Sequence, residues 1–247
     1  MALYQYVKRE PRRIRIQFMA FAWRAKLRRW LPFTLSVLGL VLIGNALVPI
    51  VNYQLRYAPR FNKVLSPLVN EREAVLGEFV ASAKESDRDY TLISSWFDQK
   101  PDLAPMELPE INHYWLTIPK LGIDQALVQI GGEDLKKMLI HYPNTAMPGQ
   151  LGNAVIFGHS VLPQFFNPKN YLTIFSTLYQ LEEGDEIWIN FDGVDYRYLV
   201  EDLFEVPPDD LTVLEQRYDG RFLTLITCSP PGTYLRRLIV RARLIDQ

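Results

Sequence analysis

The sequence contains one cysteine, Cys228, among 247 residues. A single thiol excludes an intramolecular disulfide framework, and it excludes a redox sensor that resolves on a second cysteine of the same chain. Most lone cysteines are inert, buried side chains, so the count alone favours a structural role for Cys228. Only the residues around Cys228 can indicate that its thiol is reactive.

The chain also lacks the excess of basic residues that nucleic-acid-binding proteins carry. Its formal net charge is -1, so no nucleic-acid partner is predicted. The sequence contains neither an internal repeat nor a low-complexity tract. With 48% hydrophobic residues, the chain is expected to form one folded domain with an appendage.

Charge is distributed unevenly along the chain. Residues 1–30 carry a net charge of about +8, and the remainder carries about -9. Residues 31–51 contain no charged side chain and are long enough, as a helix, to cross the roughly 30 Å hydrocarbon core of a bilayer. A retained anchor is preferred over a cleaved signal peptide, because the apolar run is long and no small-x-small cleavage site follows it.

Basic residues stay on the cytoplasmic side of a membrane, which sets the expected topology. The sequence predicts a basic cytoplasmic tail over 1–30, a transmembrane helix over 31–51, and an extracellular remainder at the plasma membrane. Residues 52–110 are interpreted as a helical stalk and linker, because apolar residues recur at helical spacing before a stretch rich in proline and acids. Residues 111–247 form the predicted main domain.

The main domain has the pattern of short strands separated by turns. An Asp192-Gly193 pair between two such runs predicts a β-hairpin. The pattern favours a mainly β fold, a closed or nearly closed antiparallel barrel, with short helices near 133–139 and 172–181. The candidate strands are 114–118, 123–130, 154–157, 186–191, 196–204, 222–227 and 238–244.

Two of the candidate strands end at chemically capable side chains. A loop rich in proline, glycine and asparagine leads through a strand to His159, and another strand ends at Cys228 before a Ser-Pro-Pro-Gly turn. The last strand begins with Arg236 and Arg237. A thiolate can attack a carbonyl, an imidazole can move the proton, and a guanidinium can stabilise the resulting oxyanion.

These residue types alone are a weak signal, but their sequence context resembles one family. The run TLITC, which ends at Cys228, resembles the Thr-Leu-x-Thr-Cys signature of bacterial sortases. The resemblance extends in the family's order over roughly residues 111–247. Its other elements are Ile118–Ile123 (the opening strand and turn), His141–His159 (HY…T…PG…GN…GH), Leu181–Asp185 (Leu-x-x-Gly-Asp) and Arg237–Val240 (Arg-Leu-Ile-Val).

The resemblance implies a sortase-type β-barrel with His159, Cys228 and Arg237 as its catalytic residues. Arg237 is preferred over Arg236 because it directly precedes the apolar run, and neighbours on a strand point to opposite faces. Thr227, beside the nucleophile, is a candidate substrate contact, although a purely structural strand residue is an equal alternative. The rival histidines are His113 and His141, and the resemblance gives His141 a structural role.

The resemblance also implies a transpeptidase that acts on secreted proteins with a C-terminal sorting signal. Cys228 would form a thioester acyl-enzyme, and an amine from a cell-wall precursor or a pilin would resolve it. The calcium sites of some family members cannot be placed on residues of this sequence, so no cofactor or metal is predicted. The alternatives are a membrane-tethered cysteine protease on the same fold and a non-catalytic peptide-binding scaffold.

The sequence departs from the family pattern in two places. Ser160 stands where the family commonly has an arginine after its histidine. Residues 95–98, Ser-Trp-Phe-Asp, contain the residue types of the acidic-aromatic lid of pilus-forming sortases in a different order. They are expected either to cover the cleft or to pack in a groove for stability.

Overall fold

A long helix precedes the β structure of this protein. The computed structural model describes residues 16–61, 88–97, 103 and 111–245, with the side chains of the first helix described from residue 28 onward. Helix α1 spans Ile16–Arg56, and the short helix α2 spans Ala58–Phe61. The chain divides into two compact units between Leu47 and Val48, so the last turns of α1 belong with the β structure.

Helix α1 contains the predicted apolar run and extends beyond it at both ends. Residues 28–61 are long and apolar enough to cross a membrane. The apolar side chains from Leu31 to Val48 are exposed, with Leu40 at 70% and Val48 at 65%. Exposing this much apolar surface to water is unfavourable, whereas the hydrocarbon core of a lipid bilayer would bury it. The predicted N-terminal apolar helix is therefore confirmed.

Most of the predicted stalk and linker lies outside the described residues. Within that region the structure describes residues 52–61 (the end of α1 and all of α2), residues 88–97 and Leu103. We call residues 88–97 the covering segment. Its Leu92 forms an isolated antiparallel bridge with Asp134, and the backbone N–H of Ile93 donates to the Glu133 carbonyl at 3.0 Å. The covering segment is thus packed against the main domain.

Eight strands within residues 111–245 close into a barrel. Their order around it is β1-β2-β3-β4-β7-β8-β6-β5, and β5 pairs with β1. The predicted mainly β closed barrel is confirmed, and every candidate strand matches an observed one to within two residues at each end. The strands are β1 (His113–Ile118), β2 (Ile123–Ile130), β3 (Leu139–His141), β4 (Gly152–Phe157), β5 (Glu186–Phe191), β6 (Val194–Val206), β7 (Arg221–Ser229) and β8 (Arg236–Leu244).

The prediction of an antiparallel barrel is wrong for two strand pairs. β2 pairs with β3 in parallel, and β4 pairs with β7 in parallel. Parallel neighbours need a crossover connection, and the chain between β4 and β7 supplies one that includes β5 and β6. The predicted Asp192-Gly193 hairpin joins β5 to β6, with φ of 53° and 73° at the two residues, as a type I′ turn requires.

The two short helices predicted in the main domain are also corrected. Residues 135–137 form a turn and β3 begins at Leu139, while residues 171–177 form turns that end in a 3-10 helix over Leu178–Gln180. Local side-chain bonds compete with the helix at both places. Asp134 accepts from the Lys136 N–H at 3.0 Å, and the Thr173 hydroxyl donates to the Asn167 carbonyl at 3.0 Å.

Strand β7 presents alternate residues to two apolar clusters. Leu223 and Leu225 join the larger cluster, to which β1, β2, β5 and β8 also contribute. Ile226 and Cys228 join the smaller cluster, which contains Trp96 of the covering segment. Because side chains alternate along a strand, Cys228 lies on the face of β7 that the covering segment packs against.

Candidate active site

The cysteine lies near the end of β7 and is almost completely buried. Cys228 is 2% exposed and precedes Ser229, the last residue of the strand. It pairs with Arg237 across the antiparallel ladder between β7 and β8. Directly opposed residues of such a ladder have Cβ atoms about 5 Å apart on the same face. The strand register therefore brings the thiol and the Arg237 side chain together.

The same register separates the two arginines. Arg236 pairs with Ser229, one residue further along each strand, so its side chain points to the opposite face. Arg237 is 2% exposed, whereas Arg236 is half-buried. The placement beside Cys228 that was predicted for Arg237 follows from this alternation.

The Arg237 guanidinium is held by backbone carbonyls and aromatic rings. Its Nη1 donates to the carbonyls of Tyr234 at 3.2 Å and Arg236 at 3.3 Å. Its Nε and Nη2 atoms are buried without a hydrogen-bond partner among the described residues. A buried donor without a partner costs free energy. Both atoms are therefore available to an acceptor that enters the cleft.

The covering segment lies directly against this guanidinium. The Cζ atom of Arg237 is 4.9 Å from the ring centroid of Trp96 and 5.3 Å from that of Tyr90. Trp96 is 1% exposed, its indole N–H donates to the Tyr90 carbonyl at 2.8 Å, and its ring packs edge-on against Phe157. Tyr90 stacks on Tyr234 at 4.3 Å. Cation–π contacts of this kind stabilise the covered arrangement.

His159 follows β4 and runs alongside the end of β7. The parallel register pairs Phe157 with Ile226, and the Gly158 N–H donates to the Ile226 carbonyl at 3.1 Å. Continued by two residues, this register would place His159 opposite Cys228. A Cβ at position 158 would come within 2.2 Å of the Phe175 ring, so glycine is required there for the chain to reach this position.

One hydrogen bond sets the tautomer and orientation of His159. Its Nδ1 lies 2.7 Å from the Leu172 carbonyl oxygen, which can only accept, so Nδ1 carries a proton. The Nε2 atom is then the nitrogen that exchanges protons. Burial lowers the pKa of His159 below its ordinary value, and the Leu172 carbonyl opposes that change in part.

Thr227 and Ser160 tie β7 to the chain around His159. Thr227 is 1% exposed, and its hydroxyl donates to the Gly158 carbonyl at 2.8 Å. The Ser160 hydroxyl donates to the Cys228 carbonyl at 3.1 Å. Both bonds join the end of β7, beside Cys228, to the residues that follow β4. Both side chains therefore help to fix the distance between His159 and Cys228.

The rival histidines lie elsewhere. His141 is fully buried in β3, where its Nδ1 is 2.7 Å from the Tyr114 hydroxyl and its Nε2 is 3.1 Å from the Thr145 hydroxyl. Burial lowers the pKa of His141 to about 4, so it is neutral at pH 7. His113 is exposed at the start of β1. Neither residue shares the strand ends that carry Cys228 and Arg237.

This arrangement has the parts of acyl-transfer chemistry. The thiol and the guanidinium oppose each other at the ends of β7 and β8, and the imidazole follows the neighbouring end of β4. Among the described residues, two donors of the guanidinium have no hydrogen-bond partner. Among the described residues no group of three or more histidine, cysteine or acidic side chains could hold a metal ion.

A sequence model of the sortase domain matches residues 116–245, which is more than half of the chain. This protein belongs to the sortase family. Among curated proteins, it is 26% identical to Sortase D of Bacillus subtilis (strain 168) over 116 residues, which cover 47% of this sortase and 53% of that protein. This sortase therefore spans about half the length of that relative.

Solved structures resemble this sortase as well. A Sortase D5 transpeptidase from Clostridium perfringens is 31% identical, with 55% of this chain and 79% of that chain covered and a TM-score of 0.47. Sortase C-1 from Actinomyces oris is 22% identical, with 71% and 99% covered and a TM-score of 0.51. The second similarity supports the barrel fold alone.

Sequence reasoning missed several residues that surround the site. Tyr90 covers Arg237, yet it lies far from every motif of the main domain. Tyr53, Glu205 and Ser229 form a hydrogen-bonded cluster on the other face of β7. No sequence signal marks Tyr53, which follows the apolar run and reads as the start of a stalk.

Proposed function

We propose that this sortase is a cysteine transpeptidase that cleaves a C-terminal sorting motif of secreted proteins. It carries the cleaved protein as a thioester on Cys228 and transfers it to an amine of a cell-wall precursor or a pilin subunit. The observation that carries the proposal is the pairing of Cys228 with Arg237 across β7 and β8, at the strand end that His159 reaches from β4.

In the first half-reaction the thiol proton moves to His159, and the Cys228 sulfur attacks the backbone carbonyl of a threonine or similar residue in the motif. The scissile C–N bond breaks, the leaving amine takes the proton from His159, and the acyl group remains on sulfur. In the second half-reaction an incoming amine attacks the thioester. His159 accepts a proton from that amine, and the C–S bond breaks.

Arg237 stabilises the oxyanion that forms in each half-reaction. Its Nε and Nη2 atoms are buried without a protein partner among the described residues, so an oxyanion would satisfy both. A charged donor fixed in a water-excluded site stabilises developing charge more strongly than a solvated donor does. Arg236, on the opposite face of β8, is excluded from this role by the register.

The covering segment must move before Arg237 can act. Trp96 and Tyr90 occupy the space over the guanidinium, and Cys228 is 2% exposed. A peptide cannot reach either side chain while both rings are in place. We therefore assign the described conformation to a resting state in which the segment covers the cleft.

Thr227 remains a proposed contributor to the site. Its hydroxyl donates to the Gly158 carbonyl and Thr227 is 1% exposed, which supports the structural alternative over a direct substrate contact.

The proposed membrane anchor is the apolar helix α1, with the basic N-terminus in the cytoplasm and the barrel outside. This topology places the cleft where secreted proteins and cell-wall amines occur.

The proposal is tested with the full-length protein in detergent, a library of C-terminal sorting-signal peptides and an added amine such as triglycine. Cleavage is expected to depend on Cys228, and ligated peptide is expected to increase with amine concentration. Cys228→Ala should lose both products, and the control Val194→Ala, at an exposed residue of β6, should keep them.

Two outcomes would replace this function with an alternative. If peptides are cleaved but the amine never enters the product, the protein is a cysteine protease on the sortase fold. If Cys228→Ala keeps full function in cells, the barrel is a non-catalytic peptide-binding scaffold.

A further inference from the structure

Three side chains from distant parts of the chain form a hydrogen-bonded cluster behind the nucleophile. The Tyr53 hydroxyl donates to Glu205 Oε1 at 2.6 Å and lies 2.8 Å from the Ser229 hydroxyl. The Ser229 hydroxyl also donates to Glu205 Oε1. Hydrogen bonds to a carboxylate are about twice as strong as neutral ones. Each of the three groups thus contacts both of the others.

The cluster joins three elements that meet at the strand end of Cys228. Tyr53 lies in the last turns of α1, two residues after the predicted membrane span ends at Val51. Glu205 lies near the end of β6, and Ser229 ends β7. Ser229 is bonded covalently to Cys228, so the hydroxyl cluster restrains the backbone that carries the nucleophile.

Tyr53 is fixed by packing as well as by hydrogen bonds. It is 2% exposed, and its ring lies 5.1 Å from Tyr179, 6.0 Å from Tyr57 and 6.3 Å from Phe61. Phe61 is 6% exposed. A side chain held this firmly has one accessible position for its hydroxyl, so it can define the position of Ser229.

The two faces of β7 therefore contact different parts of the protein. Cys228 faces the covering segment, and Ser229 faces Tyr53 and Glu205. The hydroxyl of Ser160 restrains the Cys228 carbonyl from the β4 side. The end of β7 is thus held by the chain after β4 on one side and by α1 with β6 on the other.

We infer that Tyr53 is a positioning residue that sets the geometry of Cys228 through Ser229, so that the last turns of the anchor helix are a functional part of the catalytic unit. This inference rests on the proposed function of Cys228. A small displacement of a nucleophile lowers the rate of the chemical step, whereas binding of the peptide by the rest of the cleft is unaffected.

The test compares Tyr53→Phe with the control Tyr57→Phe in the full-length protein in lipid nanodiscs. Tyr53→Phe should lower kcat for peptide cleavage by about tenfold, because the Cys228 sulfur is displaced from the position in which it attacks, and should leave KM within about twofold. Tyr57→Phe removes a hydroxyl from the neighbouring stacked ring and should keep kcat within about twofold.

A second measurement separates positioning from a loss of stability. Cys228 is the only cysteine, so the pH dependence of its alkylation by iodoacetamide reports on the thiolate alone. Tyr53→Phe should move this profile to higher pH, because the displaced thiolate is less well stabilised by His159 and Arg237. Tyr57→Phe should leave the profile in place. Ser229→Ala should lower kcat, and combining it with Tyr53→Phe should add little further loss.

The inference is overturned if Tyr53→Phe and Tyr57→Phe have the same kcat. It is also overturned if the loss of kcat only follows a loss of folded protein, with an unchanged alkylation profile. A Cys228→Ala variant measured in parallel distinguishes the two proposals. If that variant keeps activity, the proposed function fails. If it loses activity while Tyr53→Phe does not, only the role of Tyr53 fails.

Discussion

The contrast between Arg236 and Arg237 shows how strand register assigns chemistry to single residues. The two side chains are adjacent in sequence and identical in type, yet only Arg237 pairs with Cys228 and lies under the aromatic rings of the covering segment. Alternation along a strand predicts that one of the two faces the cleft, and the family resemblance selects Arg237. The register places it beside the cysteine.

This contrast leads to a prediction for the two arginines. Arg237→Lys should lower kcat/KM for sorting-peptide cleavage by about a hundredfold, because an ammonium cannot present the two open donors of the guanidinium to an oxyanion. The matched control Arg236→Lys should stay within about threefold. Steady-state kinetics of the purified full-length variants measure both. Equal losses in the two variants would contradict the assignment.

At the same scale, local sequence predicted Cys228 and His159 as candidate site residues, because both belong to continuous motifs. The cluster of Tyr53, Glu205 and Ser229 could not be found in this way. Tyr53 and Ser229 are 176 positions apart and no local pattern connects them. Their contact depends on how α1 and β7 pack, which only the folded chain specifies.

Among the elements of the main domain, the strands were more predictable than the short helices. Alternating apolar residues identified β1, β2 and β5 to within one residue. β3 was missed because Leu139–His141 is too short to show a period and follows a charged turn. The covering segment lies ahead of the barrel, and its place against β4 and β8 arises from tertiary contacts that short-range sequence does not encode.

The covering segment gives the prediction that belongs to this scale. Trp96→Ala should increase the rate of Cys228 alkylation by about tenfold, because it removes both the ring over Arg237 and the hydrogen bond to the Tyr90 carbonyl. The control Phe97→Ala removes a neighbouring ring that packs on Tyr142 and Phe157, and it should change the rate by less than threefold.

The alternative role of the covering segment, packing in a groove for stability, predicts a different result. If Trp96 only fills a groove for stability, Trp96→Ala should lower the unfolding midpoint and leave the alkylation rate of the folded protein unchanged. Losing a buried tryptophan typically costs about 3–5 kcal/mol, so the alkylation is measured well below the unfolding midpoint of each variant.

For the whole molecule, the uneven charge and the apolar helix together define the proposed topology. The basic N-terminus precedes the exposed apolar surface of α1, and the acidic remainder contains the barrel. In a Cys228→Ala background, a membrane-impermeant thiol reagent added to intact cells should label Lys169→Cys on the barrel and spare Gln5→Cys. The reverse labelling would contradict the orientation.

The central claim is that Cys228 carries the acyl group of a cleaved sorting signal. The most direct measurement is the intact mass of the full-length protein after incubation with the sorting-peptide library, followed by peptide mapping. The account predicts an added mass equal to the N-terminal part of a cleaved peptide, located on Cys228, lost on addition of an amine, and absent from Cys228→Ala. An acyl group found on another residue, or cleavage by Cys228→Ala at the rate of the unaltered protein, would contradict it.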